Sequence, residues 1–219
     1  MRRFLDRAEA GRDLARALSA YSGRRDLAVL ALPRGGVPVG YEVARFLESP
    51  LDVFVVRKLG VPGQEELAFG AVASGGVRIL NDGIVRSAGI DEGAIEAASA
   101  AQRRELERLE RDLRGGRALF DVRGRTVILV DDGLATGATM LAAVSAARSL
   151  GPVRVIAAVP VGSAEACEKV SASADELVCL AAPDPFFAVG AWYFDFTQTT
   201  DAEVHELLLR AGRREDVPG

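Results

Sequence analysis

The sequence predicts an α/β fold, a doubly wound parallel sheet of about five strands in a single domain. Short apolar runs alternate with segments of helical spacing from about residue 26 to residue 182, and such alternation is the mark of a parallel sheet with helices on both faces. The apolar runs are short and bounded by turn residues, so they read as buried strands. A chain of 219 residues is long enough for one sizeable core and short for two, and neither an internal repeat nor a linker divides it.

Residues 5–21 carry Leu5, Leu14, Leu18 and Tyr21 at helical spacing and stop before Gly23. "DLAVLALP" (26–33) is the first strand, "VPVGYEVARFL" (37–47) a helix with Pro38 in its first turn, and "LDVFVV" (51–56) a second strand that runs into Arg57-Lys58. The Gly-rich stretch from Leu59 to Asn81 predicts a flexible β-hairpin standing off the main sheet. A long helix follows over 91–116, with Leu106, Leu109 and Leu113 three and four apart; this face packs on the sheet or against a coiled-coil partner. Third, fourth and fifth strands fall in 127–130, 153–160 and 174–182, with helices after Thr139 and over 163–172. An aromatic cluster (184–198) breaks the pattern, Thr200 and Glu203 form a capping box for a last helix, and the tail from 212 is polar.

Composition narrows the function classes. The chain is 49% hydrophobic and 26% charged, with a formal net charge of -4, so nothing draws it globally to nucleic acid or a membrane. The cations of "AQRRELERLERDLR" are interleaved with acids, which argues against a nucleic-acid-binding stripe. Cys167 and Cys179 are too few for a disulfide framework and lack zinc-ligand spacing, so free thiols are expected. The charged N-terminus lacks the apolar core of a signal peptide, and no apolar run reaches membrane-spanning length; the expected location is cytoplasmic.

"VILVDDGLATGATM" (127–140) carries the chemistry. A buried strand ends on two vicinal carboxylates, Asp131 and Asp132, where ligands of an open parallel sheet bind. Gly and Ala then let the backbone approach a ligand, and N–H groups at the start of a helix form an anion site to which Thr136 and Thr139 add hydroxyls. The loop is expected to hold a phosphate. Beside it the carboxylates suit the diol of a ribose, or a magnesium ion, which favours carboxylate and phosphate oxygens. Neither a Walker motif nor the dinucleotide fingerprint fits: Ala138 stands where Walker Lys is needed, and "RGGVPVG" has the wrong glycine spacing.

That stretch resembles the phosphoribosyl-pyrophosphate (PRPP) motif of type I phosphoribosyltransferases. The resemblance covers about residues 26–182, and three segments occur in the family's order. It implies that Asp131 and Asp132 meet the ribose hydroxyls and that Ala135, Thr136, Gly137, Ala138 and Thr139 bind the 5′-phosphate. "LPRGG" (32–36) is similar to the pyrophosphate loop, with Arg34, Gly35 and Gly36 as its groups. "VVRKLGVPG" (55–63) is similar to the segment that opens the adenine enzymes' mobile loop, and places Arg57 and Lys58 at the pyrophosphate. The family further implies Mg2+, held by Asp131, Asp132 and Asp195, a core over 26–182 under a hood formed by the N-terminal helix and 183–212, and a homodimer. "FFAVGAWYFDF" (186–196) resembles the purine-stacking segment of the hypoxanthine-guanine enzymes, with Phe187 as the stacking residue, although the spacing to Asp195 is one residue too long.

The pattern departs from the family where a proton must be handled. Ala135 stands where the hypoxanthine-guanine enzymes carry an Asp, and Ala68 precedes Phe69-Gly70 where the adenine enzymes carry a Glu; Glu65 and Glu66 are nearby substitutes. Two readings follow. One is a Mg2+-dependent enzyme of nucleotide salvage that transfers 5-phosphoribose to a nitrogenous base, purine-like by preference, with Asp131, Asp132, Arg57 and Lys58 as its catalytic residues. The other is a PRPP-sensing protein without catalysis.

Overall fold

The computed structural model describes residues 3–212, apart from the side chains of Glu65 and Glu66; the rest of the polar tail, 213–219, lies outside the described residues. Its main sheet is parallel, in the order β2-β1-β6-β7-β8, formed by β1 (Leu27–Ala31), β2 (Leu51–Val53), β6 (Thr126–Val130), β7 (Arg154–Val159) and β8 (Glu176–Cys179). The central strands β1 and β6 are buried at every position, which is why they read as unbroken aliphatic runs.

Side chains alternate between two cores, as the pleat requires. Leu30, Leu129 and Ala157 face the layer of α5 (Ala138–Ser149) and α6 (Ala164–Ser173). Val29, Ile128 and Ile156 face α1 (Arg7–Ala17) and α2 (Gly36–Leu47). The expected doubly wound architecture is therefore present.

The second strand is shorter than the 51–56 run predicts. Main-sheet pairing ends at Val53, and the chain crosses to a separate antiparallel sheet made of β3 (Val56–Val61), β4 (Gln64–Ala73) and β5 (Val77–Leu80). Phe54 enters the core on the α5 side while Val55 joins the core of the small sheet. A continuous apolar run thus spans two sheets, and burial at both ends of the crossing hides the break from sequence pattern. The expected hairpin is a three-stranded sheet, and Asn81 caps a short helix α3 (Asp82–Ser87) that the pattern did not predict.

The long helix α4 (Glu92–Arg114) packs on sheet along its seam. Ile95 and Leu106 lie on the small sheet beside Phe69, and Leu113 packs with Ala31 of β1, Val53 of β2, and Val204 and Leu208 of α7 (Asp201–Gly212). Thr200 and Glu203 do form the capping box of α7: the Thr200 N–H donates to Glu203 Oε2 at 2.7 Å, and the Glu203 N–H to Thr200 Oγ1 at 3.2 Å. α7 packs against α2, α4 and the edge strand β2. At the opposite side the Phe4 N–H donates to the Trp192 carbonyl and the Phe194 N–H to the Phe4 carbonyl, both at 2.9 Å, tying the two terminal regions together.

A buried charge cluster welds these layers. Arg114, with its side chain 3% exposed, donates from Nε to Asp52 Oδ1 at 2.8 Å, from Nη1 to Glu110 Oε1 at 2.7 Å and from Nη2 to the Val53 carbonyl at 2.6 Å. Ser74 Oγ donates to Glu110 and accepts from the Val55 N–H, so the end of β2, the start of β3 and the last turn of α4 share one network. Removing one member of such a network strands the others in low dielectric. Arg114→Ala should therefore cost about 3–5 kcal/mol, read as a lowered denaturant midpoint, whereas Arg108→Ala at the exposed Glu105 and Asp112 pairs should stay within about 0.5 kcal/mol.

Candidate active site

Strand order reverses direction between β1 and β6, and a crevice opens beyond the carboxyl ends of strands at such a point. The loop after β1 carries Arg34, Gly35 and Gly36; the loop after β6 carries Asp131 through Gly137. The Leu32 N–H donates to the Val130 carbonyl at 2.8 Å, which holds the two loops side by side. A Cβ on Gly35 would lie 2.0 Å from Asp132 Oδ2, and one on Gly36 2.6 Å from the Val130 carbonyl. Glycine is thus required here by close approach to the acidic pair, and α2 begins at this contact.

The acidic pair is electrostatically costly. Burial pushes the Asp131 carboxyl well above the usual range, and the charge of Asp132 raises it further. Burial also raises Asp132, opposed by Arg7, whose Nε donates to Asp132 Oδ2 at 2.8 Å. Arg7 donates as well to the Thr197 carbonyl at 2.7 Å and lies 3.9 Å from the centroid of Phe196. The Tyr193 hydroxyl donates to the Asp132 carbonyl at 2.6 Å, and the Asp132 N–H to Asp131 Oδ1 at 2.8 Å. Segments from both terminal regions therefore converge on one residue, Arg7 on its carboxylate and Tyr193 on its backbone carbonyl.

The loop expected to hold a phosphate leads into α5. Gly137 adopts a left-handed φ of 77° against Ala166 and Val170, and α5 starts there without a side-chain cap. Its first N–H groups point out of the helix end, where the macrodipole favours an anion. Ala135, Thr136, Ala138 and Thr139 are exposed around them. The loop is stitched to the α6 entry by the Leu134 N–H donating to the Val161 carbonyl at 2.9 Å and Ser163 Oγ donating to the Ala135 carbonyl at 2.8 Å.

Arg7, Arg34, Gly35, Arg57, Asp132 and Phe196 share a cleft of about 410 Å³. Arg34 pairs with Asp201 at 2.5 Å, an exposed contact at the start of α7, and Arg57 Nε donates to Gln102 Oε1 at 3.3 Å. Lys58 is exposed and takes the opposite face of β3, the face of Val56, which packs toward the core containing Met140 of α5; it does not line this cleft. Phe187 is 84% exposed and packs against nothing that would fix it as a stacking platform. Asp195 is exposed and accepts from the Thr197 N–H at 2.9 Å and from its hydroxyl at 2.6 Å, which holds its carboxyl below the usual range. Among the described residues no group of three or more His, Cys, Asp or Glu is placed to hold a metal ion, so Asp195 is not gathered with the acidic pair into one. A larger hollow of about 590 Å³, by Tyr41, Arg45, Phe120 and Arg125, lies at the opposite ends of the strands.

Sequence reasoning missed Arg7, Tyr193, Asp201 and Gln102 as neighbours of the site. Arg7 is the first residue of α1 behind its N-cap Asp6, and nothing in its local pattern separates it from Arg12 or Arg16. Each of these partners comes from a segment remote in sequence.

A doubly wound sheet brings an uncapped helix start, vicinal acids and arginines to one switch point, where open α/β sheets bind ligands. The chain matches the family described as "Phosphoribosyl transferase domain" over residues 3–194, and it belongs to that family. Its fold is α/β, a five-stranded parallel sheet with a small antiparallel sheet beside it. Two relatives from Mycobacterium tuberculosis, strains CDC 1551 / Oshkosh and H37Rv, both named "Putative phosphoribosyl transferase", are 51% identical over 213 residues. The match covers 97% of this chain and 48% of each relative, so the chain spans about half the length of these curated relatives. The crystal structure of TT1426 from Thermus thermophilus is 47% identical, with a TM-score of 0.87 over 96% of this chain and 99% of that one.

The raised Asp131 carboxyl has a signed consequence for stability. The native state binds its proton more tightly than the unfolded chain, so the native state loses stability as pH rises from about 4, the unfolded value, through the raised native one. Asp131→Asn keeps an oxygen for the Asp132 N–H and removes this loss. The variant should melt a few degrees above the parent at pH 7, with the gap closing toward pH 4; calorimetry across that range checks it.

Proposed function

We propose that this chain transfers 5-phosphoribose from PRPP to a nitrogenous base, purine-like by preference, and releases pyrophosphate. The observation that carries the reading is the contact of two loops at one switch point, the acidic and phosphate loop on one side and Arg34-Gly35-Gly36 on the other. PRPP has a phosphate at one end and a diphosphate at the other, with two ribose hydroxyls between them. The N–H groups at the start of α5, with Thr136 and Thr139, would take the 5′-phosphate. The carboxylates of Asp131 and Asp132 would accept the ribose hydroxyls and face the positive charge that grows on the sugar as pyrophosphate leaves. Arg34, Arg57 and the Gly35-Gly36 backbone would meet the leaving group, while Lys58, on the other face of β3, lies outside the cleft.

Mg2+ fits this donor set in a limited way. Asp131 and Asp132 supply the oxygen donors it favours, and the remaining positions belong to substrate oxygens and water. When bound, the ion would supply charge neutralisation on the diphosphate. The proposed setting is nucleotide salvage in the cytoplasm by a homodimer. Among the described residues no helix is long and apolar enough to cross a membrane.

A second reading, a PRPP sensor without catalysis, is favoured by one observation. Ala135 is exposed in the phosphate loop where a carboxylate could serve the acceptor's proton, and Phe69, the aromatic that follows Ala68, is fully buried in the small sheet.

Binding is tested first. PRPP with Mg2+ at a hundredfold excess over Kd should stabilise the fold by about 2.7 kcal/mol, and Asp131→Asn with Asp132→Asn should abolish the shift. An unmoved Tm in the parent at saturating PRPP would sink both readings. Turnover, scored as pyrophosphate release across a panel of bases, separates them. For an enzyme, Arg57→Ala should lower kcat roughly 100-fold with little change in PRPP affinity, because the charge it opposes grows toward the transition state. Thr139→Val should mainly weaken PRPP binding, and Lys58→Ala should cost less turnover than Arg57→Ala. Binding without release from any base would leave the sensor.

A further inference from the structure

Cys167 and Cys179 are the chain's two cysteines, and the fold brings them together from α6 and the end of β8. Their sulfurs lie 3.5 Å apart, in contact but unbonded, and both residues are partly accessible. Cys179 Sγ–H also donates to the Ala181 carbonyl at 3.1 Å. The same carbonyl accepts from the Gly162 N–H at 3.0 Å, and a Cβ on Gly162 would lie 2.8 Å from Cys167 Sγ. The thiol pair therefore sits directly against the segment 161–163.

That segment is the support of the phosphate loop. Leu134 and Gly162 form a β-bridge, the Ser163 N–H donates to the Leu134 carbonyl at 2.9 Å, and Ser163 Oγ to the Ala135 carbonyl. Ala166, the residue before Cys167, is packed against Gly137. Any movement of α6 relative to β8 must be passed to residues 134–139.

We propose that Cys167 and Cys179 are a reversible oxidation site, closed to a disulfide by a peroxide, whose closure alters the order of the phosphate loop. Cys167 thiolate attacks one oxygen of hydrogen peroxide, forming a sulfenic acid and releasing water after protonation. The Cys179 sulfur then attacks the sulfenic sulfur, loses its proton, and expels a second water as the S–S bond forms. Two thiols give up two electrons and the peroxide takes them. Burial and the neighbouring Cys167 push the Cys179 thiol up to about 12, which makes it the resolving partner and not the first nucleophile. A disulfide holds its sulfurs at about 2 Å, so closing the present gap re-orients the side chains that press on Gly162 and Ala181. Reversible pairs of this kind are the form in which disulfides occur in reducing compartments.

The test uses the full, reduced chain exposed to hydrogen peroxide and is independent of the phosphoribosyl reading. Intact mass should fall by about 2 Da, both thiols should resist alkylation, and a dithiol reductant should reverse both changes. Amide exchange at 134–139 should change roughly twofold or more on oxidation, and not in Cys167→Ser or Cys179→Ser. Covalent dimers, sulfinic or sulfonic products without the intramolecular bond, or thiols that remain alkylatable would overturn the site. A disulfide that leaves exchange at 134–139 unchanged would overturn its coupling to the loop.

Discussion

Two carboxylates forced together and largely withdrawn from water are the constraint on which this structure turns. Asp131 and Asp132 end the central strand β6, where burial and mutual repulsion both disfavour ionisation. Only a rigid scaffold keeps like charges in such a place. β6 is bonded on both edges and buried on both faces, and a slip of one residue would invert every side chain it presents to the two cores. The Gly35-Gly36 backbone then closes on the pair more tightly than any side chain would permit.

Internal counter-ions hold the charged groups around the cleft. Arg7 binds Asp132 in a partly buried contact, and Arg34 binds Asp201 in an exposed one. The second is an easy contact to break, because water screens both ends. Arg7 is held more firmly by the Thr197 carbonyl and the face of Phe196. Under the proposed function, a polyanionic ligand entering the cleft would compete with two carboxylates for cations that are already in place, and its affinity would be a difference between two sets of contacts.

The buried Arg114 network gives the small sheet a fixed origin. Asp52 lies within β2, Ser74 just after β4, and both are tied to the last turn of α4. The strand that carries Arg57 leaves from this junction, which fixes the direction from which its guanidinium reaches the cleft. The thiol pair and the 161–163 segment play the corresponding part beneath the phosphate loop.

Sequence alone determined what depends on neighbours along the chain. The five apolar strands, the helix start at Gly137, the vicinal acids and the Thr200–Glu203 cap are all local patterns, and each is present, although the second strand stops at Val53. The crossing at Phe54–Val55 was not legible, because both residues are buried and only the identity of their cores differs. Arg57 and Lys58 are equivalent as a dipeptide, yet alternation along β3 turns one into the cleft and leaves the other on the opposite face. Arg7, Tyr193 and Arg34 meet partners 125, 61 and 167 residues away along the chain. No local rule encodes such separations; they are decided by how helices and loops pack around the sheet. The sequence by itself determined which groups could hold a phosphorylated sugar, and the tertiary structure decided which charges oppose them, because electrostatic partners are chosen by distance in space.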